Sequence, residues 1–248
     1  MRGRLVILKG PYHNTIRGTL RYTSKKPDRM DMERGREYFS LTQQSDGTSL
    51  LHAHCEIDDS PDVIRDVTCA FETKTMRPLD AMVRISVGSK FEGSGWFRFA
   101  NSSAECETYN ATKGRETTRL EIESPTPWFG HHAIINDGFL SRFFPINATP
   151  GKIRLDTVMM SSPDHRGATG PMLFPLSFGL DYVGDETITV PAGRFESRKF
   201  QIVDTAKGLP EEHPPYEMWC TNDTDGLFLR GGVGGYMQTH YELVELER

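Results

Sequence analysis

The feature that most constrains the fold of this chain is a succession of short runs rich in Val, Ile, Thr, Phe and Tyr, separated by turn residues. About fourteen such runs occur, about 8 to 15 positions apart, which is typical of antiparallel sandwiches and barrels. The clearest is YFSLTQQSDGTSLLHAHCEID, residues 38–58, where two alternating segments flank the turn sequence SDG. The sequence therefore predicts an all-β fold. We expect a single large antiparallel barrel or strongly curved sheet of more than about ten strands, with one short helix near its opening.

The runs follow one another without a Pro/Gly/Ser-rich linker, and no run recurs at a fixed period. Absence of a repeat excludes solenoids and propellers. A chain of 248 residues can form one large all-β domain. We therefore predict a single β-barrel domain over residues 1–248.

One segment, residues 131–144, departs from the strand pattern. HHAIINDGFLSRFF shows no alternation, and Ile135, Phe139 and Phe143 recur at the spacing of one helical stripe. Gly138 inside the segment costs about 1 kcal/mol relative to Ala in a helix. Pro145 follows at its end. The pattern predicts a helix-like insertion over residues 131–144 that docks against the sheet.

Charge and apolar content narrow the function classes. The chain has 29 basic and 34 acidic residues, a net charge of -5, which argues against nucleic-acid and anionic-membrane partners. No run approaches the length of about 18 apolar residues that a membrane helix needs. The apolar run LVIL near the start is too short for a signal peptide, so the sequence predicts a cytoplasmic protein. It is compatible with a homo-oligomer.

The four cysteines lack the spacing of metal sites. Cys55, Cys69, Cys106 and Cys220 form no CxxC pair, and no histidine lies at ligand spacing from them. Buried free thiols are predicted. The phosphate-loop, nucleophile-elbow, HExxH and EF-hand motifs are also absent, so we expect neither a metal nor a cofactor.

Alternation assigns two histidines to one strand face. In LLHAHCEI, residues 50–57, the apolar face carries Leu51, Ala53 and Cys55, and the other face carries His52 and His54. The two histidines are solvated or structural, line a pocket, or bind a metal. The last alternative lacks an identifiable third ligand.

Glycines alternate with aromatic residues in FEGSGWFRF, residues 91–99. Such glycines mark a sharp bend or a place where another group closely approaches the backbone. Barrel curvature is one interpretation, and a flat ligand lying over Gly93 and Gly95 is the other. Trp96 takes the opposite face. Near the end of the chain, Tyr236 and His240 share another strand face.

PWFGHHAIINDGFLSRFF, residues 127–144, is the strongest candidate for chemistry. A histidine can act as general acid or base near neutral pH, and a carboxylate nearby would fix its tautomer. His131, His132 and Asp137 could supply these groups, and Trp128 and Phe129 an apolar wall. Helix capping or packing by the histidines is the structural alternative.

A resemblance follows from ITVPAGRFESRKFQI and YEMWCTNDTDGLFLR, residues 188–202 and 216–230. Together they are similar to a pattern in uncharacterised bacterial lipocalin-like and lipoprotein-carrier-like β-barrel proteins, a VPAG-x-F turn before a strand and then a tryptophan strand. Pro191 and Gly193 suit a tight turn. The resemblance implies a curved antiparallel sheet around an apolar cavity and carries over no catalytic residue.

Two functional hypotheses follow. The first is a cofactor-independent lyase, dehydratase/hydratase or isomerase acting on an aromatic or terpenoid small molecule in a barrel cavity, with histidine as general acid or base. The second is a non-catalytic carrier or sensor of a hydrophobic ligand. The candidate catalytic residues are His132, His131, Asp137, His54 and His52. The candidate substrate-binding residues are Trp96, Trp128, Phe129, Phe139 and Tyr236.

Overall fold

The computed structural model describes residues 12–164, 166–205, 216–234 and 238–248. Within these ranges the chain forms one sheet of 15 strands. The strands are β1 His13–Ser24, β2 Glu33–Gln44, β3 Thr48–Ile57, β4 Val63–Glu72, β5 Pro78–Val87, β6 Lys90–Phe99, β7 Ser103–Asn110, β8 Gly114–Glu121, β9 Phe129–Gly130, β10 Gly151–Met160, β11 Phe174–Val190, β12 Gly193–Val203, β13 Tyr216–Thr221, β14 Phe228–Val233 and β15 Thr239–Glu247. The prediction of an all-β fold with more than ten strands is confirmed.

β1 and β15, the first and last described strands, pair near the middle of the sheet, and the other strands follow on either side of them. Its order is β8-β7-β6-β5-β4-β3-β2-β1-β15-β14-β13-β12-β11-β10-β9. Every neighbouring pair is antiparallel except β9 with β10, which is parallel. β8 and β9 therefore form the two ends of the ladder, and the sheet is strongly curved but not closed by backbone hydrogen bonds.

Turn chemistry follows the sequence at two predicted hairpins. Between β2 and β3, the Asp46 carboxylate accepts a hydrogen bond from the backbone N–H of Thr48 at 2.9 Å, which is how aspartate stabilises a tight turn. Between β11 and β12, Val190 pairs with Gly193 across a two-residue turn. Gly193 has a φ of 144°, a conformation that favours glycine.

Strand alternation defines the core. In β3, Leu51, Ala53 and Cys55 are buried, whereas His52 is exposed, so the predicted assignment of faces is confirmed. All four cysteines are buried free thiols, also as predicted.

Aromatic packing brings the two ends of the sheet together. Phe129 in β9 lies with its ring centroid 4.8 Å from that of Phe97 and 5.0 Å from that of Phe99, both in β6. A Cβ atom on Gly93 would lie 2.5 Å from the carbonyl oxygen of Gly170. The sheet thus closes on itself through side chains and through segment 170–171, and the glycines of β6 are the site of a close backbone approach. The chain itself, rather than a flat ligand, lies over them.

The helical segment is shorter than predicted. α1 spans Ile134–Gly138 and continues as a 3₁₀ helix over Phe139–Phe143. His131 and His132 precede α1, because His132 has a φ of 64° that no right-handed helix accommodates. The prediction of helix over 131–133 was therefore wrong.

The docking stripe of this segment is confirmed in part. Ile135 and Phe139 are fully buried, whereas Phe143 is half-buried. α1 packs against β13 and β14, and the ring centroid of Phe139 lies 5.5 Å from that of Phe71 in β4. Because these strands belong to different parts of the curved sheet, the helical segment lies on its concave side. We call residues 134–143 the inner helix.

Candidate functional site

A buried carboxylate of β2 holds the beginning of the inner helix. Glu37 is fully buried and accepts hydrogen bonds from the backbone N–H groups of Ile134 at 2.7 Å and Ile135 at 3.0 Å. It also accepts one from the Tyr22 hydroxyl at 2.7 Å and a weaker one from the Cys55 thiol at 3.4 Å. Burial raises the pKa of Glu37, and these hydrogen bonds oppose the increase.

A buried arginine of β4 holds the segment before the inner helix. Arg65 is almost completely buried. Its guanidinium donates to the carbonyl of His132 at 2.8 Å, to that of Gly167 at 3.0 Å, and to that of Arg166. These acceptors are neutral. Glu37, Cys55 and Arg65 occupy directly paired positions on β2, β3 and β4, so two strand spacings, about 9 to 10 Å, separate the backbones of the two charged residues.

Both histidines beside the inner helix are held neutral. Burial, and next the positive charge of Arg65, lower the pKa of His131 and of His132 to about 3. The Nε2 of His132 lies 3.3 Å from the carbonyl oxygen of Ser162. The Nδ1 of His131 accepts a long hydrogen bond, 3.4 Å, from the backbone N–H of Ala133. We therefore assign the proton of His131 to Nε2.

Asp137 lies at the other end of α1 and pairs with a tyrosine rather than with a histidine. The Tyr216 hydroxyl donates to its carboxylate at 2.9 Å. Burial raises the pKa of Asp137 to about 7, the Tyr216 hydrogen bond lowers it, and the charge of Glu37 raises it further. Of His131, His132 and Asp137, the three predicted catalytic residues in or beside the inner helix, Asp137 is the one whose pKa lies near neutrality.

His52 and His54 lie on the convex face of the sheet, away from the inner helix. His52 is exposed. The Nδ1 of His54 lies 2.6 Å from Asp66, its Nε2 lies 3.4 Å from Glu56, and its ring stacks on Tyr38. The hydrogen bond to Asp66 raises the pKa of His54, and burial opposes it. The structure therefore does not bring these two histidines to His131 and His132.

The predicted apolar residues separate into two groups. Phe129 and Phe139 are fully buried, and Trp128 is nearly so, with its ring edge-on to Phe178. Trp96 is 49% exposed on the convex face, where the guanidinium of Arg98 lies 5.2 Å from its ring centroid. Tyr236 lies outside the described residues.

Several buried polar atoms on and beside β9 have no hydrogen-bond partner among the described residues. They are Thr126 Oγ1, Trp128 Nε1, His131 Nε2 and Ser161 Oγ. Ser161 is adjacent to β9, because its backbone N–H donates to the Gly130 carbonyl at 2.8 Å. Two of these groups, the indole N–H of Trp128 and the assigned Nε2–H of His131, can only donate. A buried donor without an acceptor costs about 1–3 kcal/mol.

The described part of the chain contains neither a cluster of metal-binding side chains nor a long apolar helix. No group of three or more His, Cys, Asp or Glu residues in it could hold a metal ion. None of its helices is long and apolar enough to cross a membrane.

The comparisons with known proteins support the fold. No protein-family model matches the sequence, and no curated protein matches it. Among solved structures, the chain resembles a beta-barrel-like protein of a domain of unknown function, DUF1849, from Brucella abortus. The two are 9% identical in sequence, with a TM-score of 0.53 over 95% of this chain and 97% of that chain. At this identity the similarity concerns the fold alone. It agrees with the expected likeness to bacterial β-barrel proteins of unknown function and does not test the VPAG-x-F pattern.

Proposed function

We propose that this protein binds a hydrophobic small molecule on the concave side of the sheet, beside β9. The observation that carries the proposal is the pair of buried N–H donors without acceptors, on Trp128 and His131. The ring of Phe129 contacts those of Phe97, Phe99 and His131, and the ring of Trp128 contacts that of Phe178. A largely apolar site with a few polar groups is typical of small-molecule binding. A ligand oxygen at each donor would satisfy it and remove its desolvation cost.

The electrostatics favour a carboxylate or another strongly polar acceptor on this ligand. Both orphan groups on Trp128 and His131 are donors, and the nearby Arg65 carries a positive charge whose recorded acceptors are neutral carbonyls. The charge of Arg65 acts on His131, since it lowers the pKa of that residue. An anionic oxygen would gain from both effects. This is the carrier or sensor hypothesis, with the polar end of the ligand specified.

Binding is tested by fluorescence titration with cis-parinaric acid and its methyl ester. We expect the acid to bind more tightly than the ester. His131→Phe and Trp128→Phe each remove one N–H while keeping an aromatic ring, so each should weaken binding of the acid about tenfold. His54→Ala and Trp96→Phe, on the convex face, are the controls and should bind like the wild type. Absence of binding of both probes, or an unchanged affinity of the His131→Phe variant, would contradict the proposal.

Asp137 favours a second candidate, a cofactor-independent lyase, dehydratase/hydratase or isomerase. A general acid or base works best with a pKa near the working pH. Histidines with a pKa of about 3 are weak bases, whereas Asp137, with a pKa of about 7 and a hydroxyl partner in Tyr216, suits proton transfer. In this candidate Asp137 moves the proton and Tyr216 orients the carboxyl group.

The two candidates differ in what Asp137→Asn changes. Compounds that co-purify with the protein are extracted, identified by mass spectrometry and incubated with fresh protein. A carrier returns them unchanged. An enzyme converts them, and Asp137→Asn should abolish conversion while preserving binding.

A further inference from the structure

β8 is an edge strand of the sheet formed by the described residues. It pairs with β7 along its whole length and with no other described strand. Within β8, Gly114 and Leu120 are half-buried and all the other residues are exposed. An antiparallel edge strand directs alternate N–H and C=O groups outward, where they can pair with another strand. β8 carries no proline and no recorded bulge, and no described segment covers it. A proline, a bulge and a covering segment usually protect a sheet edge from pairing, as do charged side chains. Of these protections, the described structure gives β8 only charged side chains.

We propose that β8 pairs antiparallel with β8 of a second copy of this chain, which joins the two sheets edge to edge. Such a pair has a two-fold axis perpendicular to the sheet, which preserves the face of every side chain. Residues directly opposite each other in the pair must share a face of the sheet. The axis therefore lies midway between the two copies of one residue, which are directly opposite each other. With the axis at Thr118, Arg115 lies opposite Glu121 of the second copy. By symmetry the opposite-charge pair occurs twice.

The neighbouring registers are unfavourable. An axis at Thr117 places Arg115 opposite Arg119 of the second copy, and an axis at Arg119 places that arginine opposite itself. Like charges directly opposite each other destabilise strand pairing, whereas opposite charges stabilise it. Among the registers that pair most of β8, its charges thus favour the one with the axis at Thr118.

The convex face already has a ladder of charges that this pairing would extend. Arg115 pairs with Glu107 at 2.8 Å, and Arg119 pairs with Glu121 at 2.7 Å and with Glu105. These side chains are all exposed to a large extent. An added Arg115–Glu121 contact between copies would therefore form without burying an isolated charge.

Sedimentation velocity over a range of protein concentrations tests the proposal. We expect a monomer–dimer equilibrium for the wild type. Arg115→Glu and Glu121→Arg each replace two attractive pairs by two repulsive ones, so each should weaken the dimer about tenfold or more. The double variant, R115E with E121R, restores opposite charges between copies and should restore the dimer.

Glu116→Arg is the matched control. Glu116 is exposed on the other face of β8 and lies opposite Leu120 of the second copy, so its reversal should leave the dimer nearly unchanged. Thermal unfolding monitored by circular dichroism checks that every variant is folded. A wild type that stays monomeric, a dimer insensitive to the single reversals, or a double variant that stays monomeric would each overturn the proposal.

Discussion

At the scale of single residues, Glu37 determines how the inner helix begins. Its carboxylate faces four donors, from Tyr22, Cys55, Ile134 and Ile135, so its acceptor-only form fits the site. Glu37→Gln places an amide N–H₂ against at least one of these donors. We expect a loss of about 1–3 kcal/mol in the free energy of unfolding, measured by urea denaturation at neutral pH. Glu56→Gln, on the convex face, should change it by less than about 0.5 kcal/mol. Equal stability of both variants would mean that the Glu37 contacts are dispensable.

The buried histidines make the fold sensitive to acid. In the folded protein the pKa of His131 is about 3, and in the unfolded chain it is about 6.5. Between these values the unfolded state binds a proton that the folded state does not. Stability therefore falls as the pH decreases through this window, by up to about 1.4 kcal/mol per pH unit for each such histidine. His132 contributes with the same sign, and Asp137, with its raised pKa, with the opposite sign.

His131→Phe removes one of these contributions and keeps the ring. The free energy of unfolding, measured from about pH 7 down to pH 4, should fall less steeply for this variant than for the wild type. The slope of His54→Ala should not become shallower in the same way, because the pKa of His54 is raised rather than lowered. Parallel slopes for the wild type and His131→Phe would show that His131 is protonated without cost.

The residues that organise the interior left a signal in the sequence. Glu37 shares its strand face with the buried Phe39 and Leu41, and Arg65 shares its face with the buried Val63 and Val67. A charge on an otherwise apolar face at period two marks a buried ionic group. The backbone partners of these two charges could not be predicted, because they lie 67 to 102 positions away in the chain.

At the scale of elements, Gly138 shows why the inner helix contains a glycine. Replacement of glycine by alanine within a helix gains about 1 kcal/mol from backbone propensity. Here, however, an added Cβ would lie 2.4 Å from the backbone nitrogen of Phe228 and 2.8 Å from the carbonyl oxygen of Gly226. Overpacking against backbone costs about 1–3 kcal/mol or more. Gly138→Ala should therefore destabilise the protein despite its better helix propensity.

Gly151→Ala is the control for Gly138→Ala, because it adds the same methyl group at a position with free space. The nearest atom to a Cβ on Gly151 is the Thr149 carbonyl oxygen at 3.9 Å, so this change should be close to neutral. Both free energies of unfolding can be measured by chemical denaturation. If Gly138→Ala were the more stable variant, propensity rather than contact with β14 would govern the position.

The strands were predictable as elements because alternation is local, whereas the first residue of the helix was not. The apolar stripe through Ile135 and Phe139 correctly located the inner helix. Its start depends on the positive φ of His132 and on hydrogen bonds from a distant strand to the first helical N–H groups. Neither leaves a periodic signal. His131, which immediately follows β9, is fully buried in the core.

At the scale of the whole molecule, the two ends of the sheet meet through packing of β6 against β9 and segment 170–171. No strand-to-strand hydrogen bonds join these ends in the described structure. The sequence predicted that the elements are strands and that there are more than ten of them, and it left barrel and curved sheet open. The strand order, with β1 beside β15 and the two ends at β8 and β9, is a property of long-range packing. The glycines of β6 were recognisable as a close-approach site, but the segment that approaches them, residues 170–171, was not.

Gly93→Ala tests this closure. A Cβ on Gly93 would lie 2.5 Å from the Gly170 carbonyl oxygen and 3.0 Å from Pro171, so segment 170–171 must move away from β6. We expect faster amide hydrogen exchange at β9 and around residues 161–173, and unchanged exchange where β1 pairs with β15, because opening of the contact is local. Gly232→Ala, whose nearest neighbour is the Thr239 carbonyl oxygen at 3.9 Å, is the control. A uniform increase in exchange across the sheet would instead mean that the contact between β6 and segment 170–171 and the continuous ladder form one cooperative unit.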